Sequence, residues 1–191
     1  MGTLRTFLAI TPPSDIQSML FDYGKRIHER FSDAWKFEKR EKLHLTLQFF
    51  GNLENEDLKK VTAVVRETIQ KAEPFMLSVM GVTGYPIVAR ATVLVLELSY
   101  PEELFAMRQS MIGAFKKNGL PAEHRFTPHI TLARSRSPGD INERIAKSFP
   151  LPSIEFNVTT LNLFASHMSL EGSRYEVLST FMLGDRGENN A

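Results

Sequence analysis

The tetrapeptide His-x-Thr-apolar occurs twice, as His44-Leu45-Thr46-Leu47 and His129-Ile130-Thr131-Leu132, and no other feature limits the fold as strongly. Each copy lies in a stretch where apolar and polar residues alternate, the pattern of a half-buried strand. On a strand, His and Thr two apart leave the same face, and the apolar residues beside them leave the other. Leu43, Leu45, Leu47 and Phe49 are therefore expected on the core face, with His44, Thr46 and Gln48 opposite.

The surroundings of the two copies also correspond. A strand at residues 5–10, a capping box Ser14-Asp15-Ile16-Gln17 and an amphipathic helix through Ile16, Met19, Leu20, Tyr23, Ile27 and Phe31 precede the first. Gly51-Asn52 is expected to break the motif strand, and a helix at 54–71 follows. A strand at 75–82, a strand at 91–98 and a helix through Leu104, Met107, Met111 and Phe115, closed by Gly119, precede the second copy. The second motif strand is expected at 128–133. A Ser137-Pro138-Gly139 turn, a short helix around 141–148, strands at 154–164 and 174–183, and a polar tail at 185–191 complete the reading. From position 44 to position 129 the spacing is 85 residues, too long for a solenoid repeat and suited to duplicated lobes. The expected fold is α+β and bilobal: two duplicated lobes of antiparallel sheet, about 1–90 and 91–184, with helices outside and a central cleft.

Composition narrows the chemistry. No cysteine is present, which excludes disulfides, thiolate metal sites and cysteine nucleophiles. With 23 basic and 22 acidic residues the net charge is +1, unlike a protein that coats long nucleic acid. No apolar run approaches the ~20 residues of a membrane span. A cytoplasmic protein, working as a monomer without a membrane, is expected.

Two facing His/Thr pairs suit a phosphodiester. Breaking a cyclic phosphate needs a base for the attacking water and an acid for the departing ribose oxygen. Histidine serves as either near neutral pH. Threonine hydroxyls donate to the non-bridging oxygens where charge builds. The scheme needs no metal or other cofactor, and no metal-ligand spacing is found.

The stretches Leu43-His44-Leu45-Thr46-Leu47-Gln48-Phe49-Phe50-Gly51 and Phe126-Thr127-Pro128-His129-Ile130-Thr131-Leu132-Ala133-Arg134 carry a family resemblance. Trp35, Leu161-Asn162-Leu163-Phe164 and Gly172-Ser173-Arg174-Tyr175 fit it too. The chain resembles the RNA 2′,3′-cyclic phosphodiesterase (2′-5′ RNA ligase-like) family of two-histidine phosphoesterases, nearly end to end. The resemblance implies opening of RNA 2′,3′-cyclic phosphate ends, tRNA fragments among them, to a 2′-phosphate, with weak reversible 2′-5′ ligation. It also implies His44 as proton donor, His129 as proton acceptor, and Thr46 and Thr131 as phosphate ligands. One departure is visible: members often carry an aromatic residue in the strand at 91–98, where this chain has Val and Leu.

Further substrate contacts are expected from Arg134, if a bulge or a strand end turns it toward His129, from Arg125 on the RNA backbone, and from Phe49 beside the cleft. Lys36, Lys39, Arg40 and Lys42 form a basic run ahead of His44. His28 and His167 are given no role, and Trp35 is expected in the core. Two other readings stay open. One keeps the chemistry on 2′-5′ oligonucleotides or small nucleotide cyclic phosphates, and the other is a non-catalytic RNA- or nucleotide-binding module.

Overall fold

The computed structural model describes residues 2–31, 35–139, 149–169 and 172–184; the helix expected around 141–148 and the tail at 185–191 lie outside them. In chain order the elements are β1 (Leu4–Ile10), α1 (Ser14–Phe31), β2 (Lys36–Phe37), β3 (Leu45–Leu53), α2 (Asn55–Ile69), β4 (Phe75–Tyr85), β5 (Ala91–Leu98), α3 (Glu102–Lys117), β6 (His129–Gly139), β7 (Glu155–Val158), β8 (Thr160–Ser169) and β9 (Gly172–Met182). The sheet runs β7-β4-β5-β6-β3-β1-β8-β9, every pairing antiparallel, with β2 beside β6.

The two motif strands meet at a single paired position, Leu45 opposite Ile130. These residues are equivalent in the two motif copies. The sheet therefore divides there into a first wing, β3-β1-β8-β9, and a second wing, β6-β5-β4-β7. One backbone pair is a weak seam by itself. What closes it is the core beneath, where Leu45, Leu47, Ile130 and Leu132 are all at most 2% exposed. Full burial of such side chains is worth about 1.5–3 kcal/mol each.

The wings differ from the sequence halves expected to meet near residue 90. β4 belongs to the second wing, and β8 and β9 belong to the first. The expected single strand at 154–164 is accordingly two. β7 pairs with β4, and after Thr159 the chain crosses to pair β8 with β1. Buried apolar residues fall at Ile154, Phe156 and Val158 and then at Leu161 and Leu163, so the alternation slips by one at Thr159-Thr160, and that slip is the local mark of the crossing. The expected turn at 137–139 is strand: β6 continues to Gly139, which pairs with Ala91.

The helices cover one face of the sheet. Leu20, Tyr23 and Ile27 of α1, Val61, Val65 and Ile69 of α2, and Leu104, Met107, Met111 and Phe115 of α3 are buried in a core that includes Leu8, Ile10, Leu94 and Leu96. Trp35 joins them, as expected. Met19 does not: it is 45% exposed, at the edge of the apolar stripe of α1. The expected capping box does not form either. The α1 backbone begins from the Pro13 carbonyl, and the Gln17 side chain instead donates to the Leu43 carbonyl, 3.2 Å away, bracing the approach to His44. No described helix is long and apolar enough to cross a membrane.

Candidate active site

Two bulges re-aim the first motif strand. Ala9 pairs with Thr46 and Leu8 with Gln48, so Leu47 is an extra residue without a partner. Paired residues in an antiparallel ladder share a face, and a bulge shifts the alternation by one. Thr46 consequently faces the cleft with Ala9, while Gln48 turns into the core with Leu8 and Phe49 turns out beside Phe7. This reverses the expected sides of Gln48 and Phe49. Gln48 is 4% exposed, and its amide donates to the Phe49 carbonyl and accepts from the Glu123 backbone N–H. Phe50 is the second bulged residue, and Gly51 follows at φ 74°. That left-handed conformation suits glycine, so the strand bends at Gly51-Asn52 and continues to Leu53 instead of breaking there.

The second motif strand carries the matching bulge. Val95 pairs with Thr131 and Leu94 with Ala133, leaving Leu132 extra. Thr131 faces the cleft, Ala133 the core, and Arg134, paired with Val93, returns to the cleft side. Each bulge is held from a different direction. Arg108 of α3 donates through Nε to the Leu47 carbonyl at 3.3 Å and through Nη2 to the Glu123 carbonyl at 2.9 Å. The Leu132 carbonyl instead accepts from the backbone N–H of Glu38 at 2.8 Å.

Both imidazoles are fixed by a carbonyl two residues earlier. His44 Nδ1 lies 2.7 Å from the Lys42 carbonyl, and His129 Nδ1 lies 2.7 Å from the Thr127 carbonyl. A carbonyl only accepts, so each Nδ1 carries the hydrogen and Nε2 is left for chemistry. In neutral His44 that Nε2 accepts the Thr46 hydroxyl, 3.0 Å away. The Nε2 of His129 is hydrogen-bonded to no described residue.

The rings around the two histidines differ. His44 has Phe7 at 5.0 Å, Tyr175 edge-on at 5.5 Å and Phe164 at 6.3 Å between centroids. His129 has Tyr85, edge-on at 5.4 Å. Burial pushes the His44 imidazole down to about 4, against a favourable contact with the Lys42 carbonyl and with smaller help from the charges of His129 and Arg134.

The cleft, of about 290 Å³, is lined by both His/Thr pairs together with Phe49 and Arg134. Arg134 is also 3.6 Å from the Glu38 carboxylate. Arg125 lies elsewhere: it is exposed on the segment between α3 and β6 and does not line the cleft. Arg108 explains why, since it ties down Glu123 and stacks on Phe126 at 3.9 Å, leaving Arg125 to solvent. Arg5, Phe7, Glu38, Lys42, Ser166, Met168, Ser173 and Tyr175 complete the lining and were not singled out as contacts in the sequence. Alternation in β1 points to Phe7, one face being Arg5-Phe7-Ala9. The rest needed knowledge that β8 and β9 flank β1. Arg5 lies over the Phe49 ring at 4.9 Å, so the cleft wall has an aromatic face backed by a cation. No group of three or more His, Asp or Glu suited to a metal occurs among the described residues.

The arrangement offers two proton-transfer groups, two hydroxyls and the cations Arg5, Lys42 and Arg134 around a space the size of a phosphate and its sugar. Solved structures of the same shape include that of TT0787 from Thermus thermophilus, with TM-score 0.79, 24% identity, and 94% of this chain and 98% of that one covered. E. coli LigT complexed with 3′-AMP has TM-score 0.73, 24% identity, and coverage of 95% and 98%. Among curated relatives, the RNA 2′,3′-cyclic phosphodiesterase of Methanothermobacter thermautotrophicus is 29% identical over 186 residues, 94% of this chain and 99% of its own. The protein of that name from Thermus thermophilus is 26% identical over 195 residues, 98% of this chain and 95% of its own. A sequence model described as the 2′-5′ RNA ligase superfamily matches residues 19–168, well over half the chain and both motifs. The chain belongs to the 2′-5′ RNA ligase superfamily.

Proposed function

We propose that this protein is an RNA 2′,3′-cyclic phosphodiesterase that opens a terminal cyclic phosphate to a 2′-phosphomonoester by two-histidine acid–base catalysis. One observation carries the reading: two imidazoles, each with Nδ1 pinned to a carbonyl, line one cleft together with a threonine hydroxyl apiece. Curated relatives that match nearly their whole length bear that activity in their names.

His129, whose Nε2 is hydrogen-bonded to no described residue, takes the proton of the attacking water as the water oxygen bonds to phosphorus. His44 gives a proton to the departing 3′ oxygen as that P–O bond breaks. Thr46 and Thr131 donate to the non-bridging oxygens, the Thr46 hydroxyl turning from His44 to the phosphate. His44 is neutral in the free protein near pH 7, because its pKa is held down at about 4. The anionic phosphate supplies the charge that lifts it, so the acid is made when substrate enters. No described residue cluster calls for a metal in this scheme.

The test is turnover, in EDTA, of a short RNA ending in a 2′,3′-cyclic phosphate, with the monophosphate products resolved. Conversion to the 2′-phosphate supports the reading, and a 3′-phosphate product reverses the leaving group. No turnover of this RNA rejects the activity, leaving the 2′-5′ oligonucleotide and binding-module readings to be tried in turn. The same preparations decide the roles of the histidines. His44 is the acid if its titration, followed by NMR, moves up from about 4 on adding the 2′-phosphate product. An unmoved titration exchanges the two roles.

A further inference from the structure

Beyond Tyr175 the active-site cleft continues into a second groove, of about 540 Å³. Lys42, Ser173 and Tyr175 line both, so the groove begins one aromatic ring away from His44. Lys39, Lys42 and Arg174 supply its positive charge, and Phe164 and Tyr175 give it an aromatic wall. Among the described residues Glu41 is its one acidic lining residue, and none of the three cations forms an ion pair with a described residue. Lys42 does lie over the Tyr175 ring, Nζ at 5.7 Å from the centroid. The floor is held open by its own bonds: Asn162 donates to Thr11 at 3.2 Å and accepts from Thr180 at 2.8 Å, while Gln17 is engaged by the Leu43 carbonyl.

The chain as a whole is nearly neutral, so three cations on one groove with no ion pair to a described residue are a local excess. Cations along a track with aromatic rings beside it are what single-stranded nucleic acid requires. A mononucleotide with its cyclic phosphate between His44 and His129 has no second phosphate to offer these cations. A longer RNA has its next phosphate one nucleotide back from the reacting one.

We propose that the groove of Lys39, Lys42 and Arg174 is a subsite for the phosphodiester joining the last two nucleotides of the RNA. It rests on the cyclic phosphodiesterase reading and goes beyond it, because it makes the enzyme select an RNA end over a free nucleoside cyclic phosphate.

Three substrates test this: a nucleoside 2′,3′-cyclic phosphate, a dinucleotide ending in the same group, and that dinucleotide with an uncharged methylphosphonate linkage. Wild-type kcat/KM is expected to favour the charged dinucleotide over the mononucleotide by about tenfold at low salt, and the preference shrinks as salt rises. The methylphosphonate removes the preference. So does the pair Lys39→Ala and Arg174→Ala, which leaves mononucleotide turnover unchanged. Equal turnover of the charged and uncharged dinucleotides overturns the subsite, and so does a preference that survives the double variant. Failure to turn over any of the three overturns instead the activity on which the subsite rests.

Discussion

Among the described residues His44 stands near three aromatic rings and His129 beside one, although the strands that carry them agree in register down to the bulged residue. Each motif strand places His, Thr and one further residue on the cleft, with Leu47 and Leu132 as the extra residues that make the third one turn inward. In the first wing that third residue is Phe49, in the second Arg134. Backbone register thus sets where the groups are, and the neighbouring strands set what each group does. Rings from β8 and β9 desolvate His44 and lower its proton affinity, and no such hairpin packs on His129 among the described residues. A symmetric frame carries an asymmetric pair, as a reaction needing one acid and one base requires.

The comparison breaks most sharply at the histidines. His44→Ala and His129→Ala are each expected to lower kcat about 10²- to 10⁴-fold on a dinucleotide cyclic phosphate, and the double variant falls far short of the product of the two losses. If either single variant kept wild-type kcat, only one wing would be working. Next come the hydroxyls: Thr46→Val and Thr131→Val should each cost about 10²-fold in kcat. Only Thr46→Val should also raise the His44 titration, because only Thr46 donates to a neutral imidazole.

The environments can be tested apart from catalysis. Tyr175→Ser admits water beside His44 and should raise its NMR titration by about one unit from about 4. The sign for stability follows from the same shift. Between about 4 and the ordinary 6.5, folded His44 binds fewer protons than unfolded His44. Its contribution is therefore complete above pH 6.5 and is lost as pH falls toward 4, about 3 kcal/mol in all by denaturant titration. His44→Gln should remove that slope. The smallest effects belong to the third residues of each wing: Phe49→Ala should raise KM about tenfold, and Arg134→Ala, mostly exposed, about threefold. Equal changes in kcat would show that these side chains act on the chemistry and not on binding.

The duplicated motif, both histidines, both threonines and the α+β class could be read from the residues, because His-x-Thr with flanking leucines has a period that only a strand satisfies. Strict alternation put Gln48 on the wrong face and left Phe49 between the core face and the cleft, because a bulge has no period: Leu47 looks like any other core leucine until its partner strand is known. The same device was anticipated only as a condition for Arg134, where an arginine expected at the site fell out of phase. Arg125 was misplaced because nothing in the local sequence shows that Arg108 fastens its loop. Tyr175 and Phe164 approach His44 through pairings of β1 with β8 and β8 with β9, contacts more than a hundred residues from the motif. Tyr85 supplies an aromatic ring at His129 although strand 91–98 offers none.

The exchange of strands between the wings also sets an order of assembly during synthesis. Once Val158 has left the ribosome, all four strands of the second wing exist, whereas the first has only β1 and β3. Until β8 arrives, the apolar run Phe7-Leu8-Ala9 is an unpaired sheet edge, the kind of surface that recruits strands from other chains. The hairpin that tunes His44 is therefore also what caps a sticky edge, and a chain stopped or cut before it would have its second motif in place and its first wing open to aggregation.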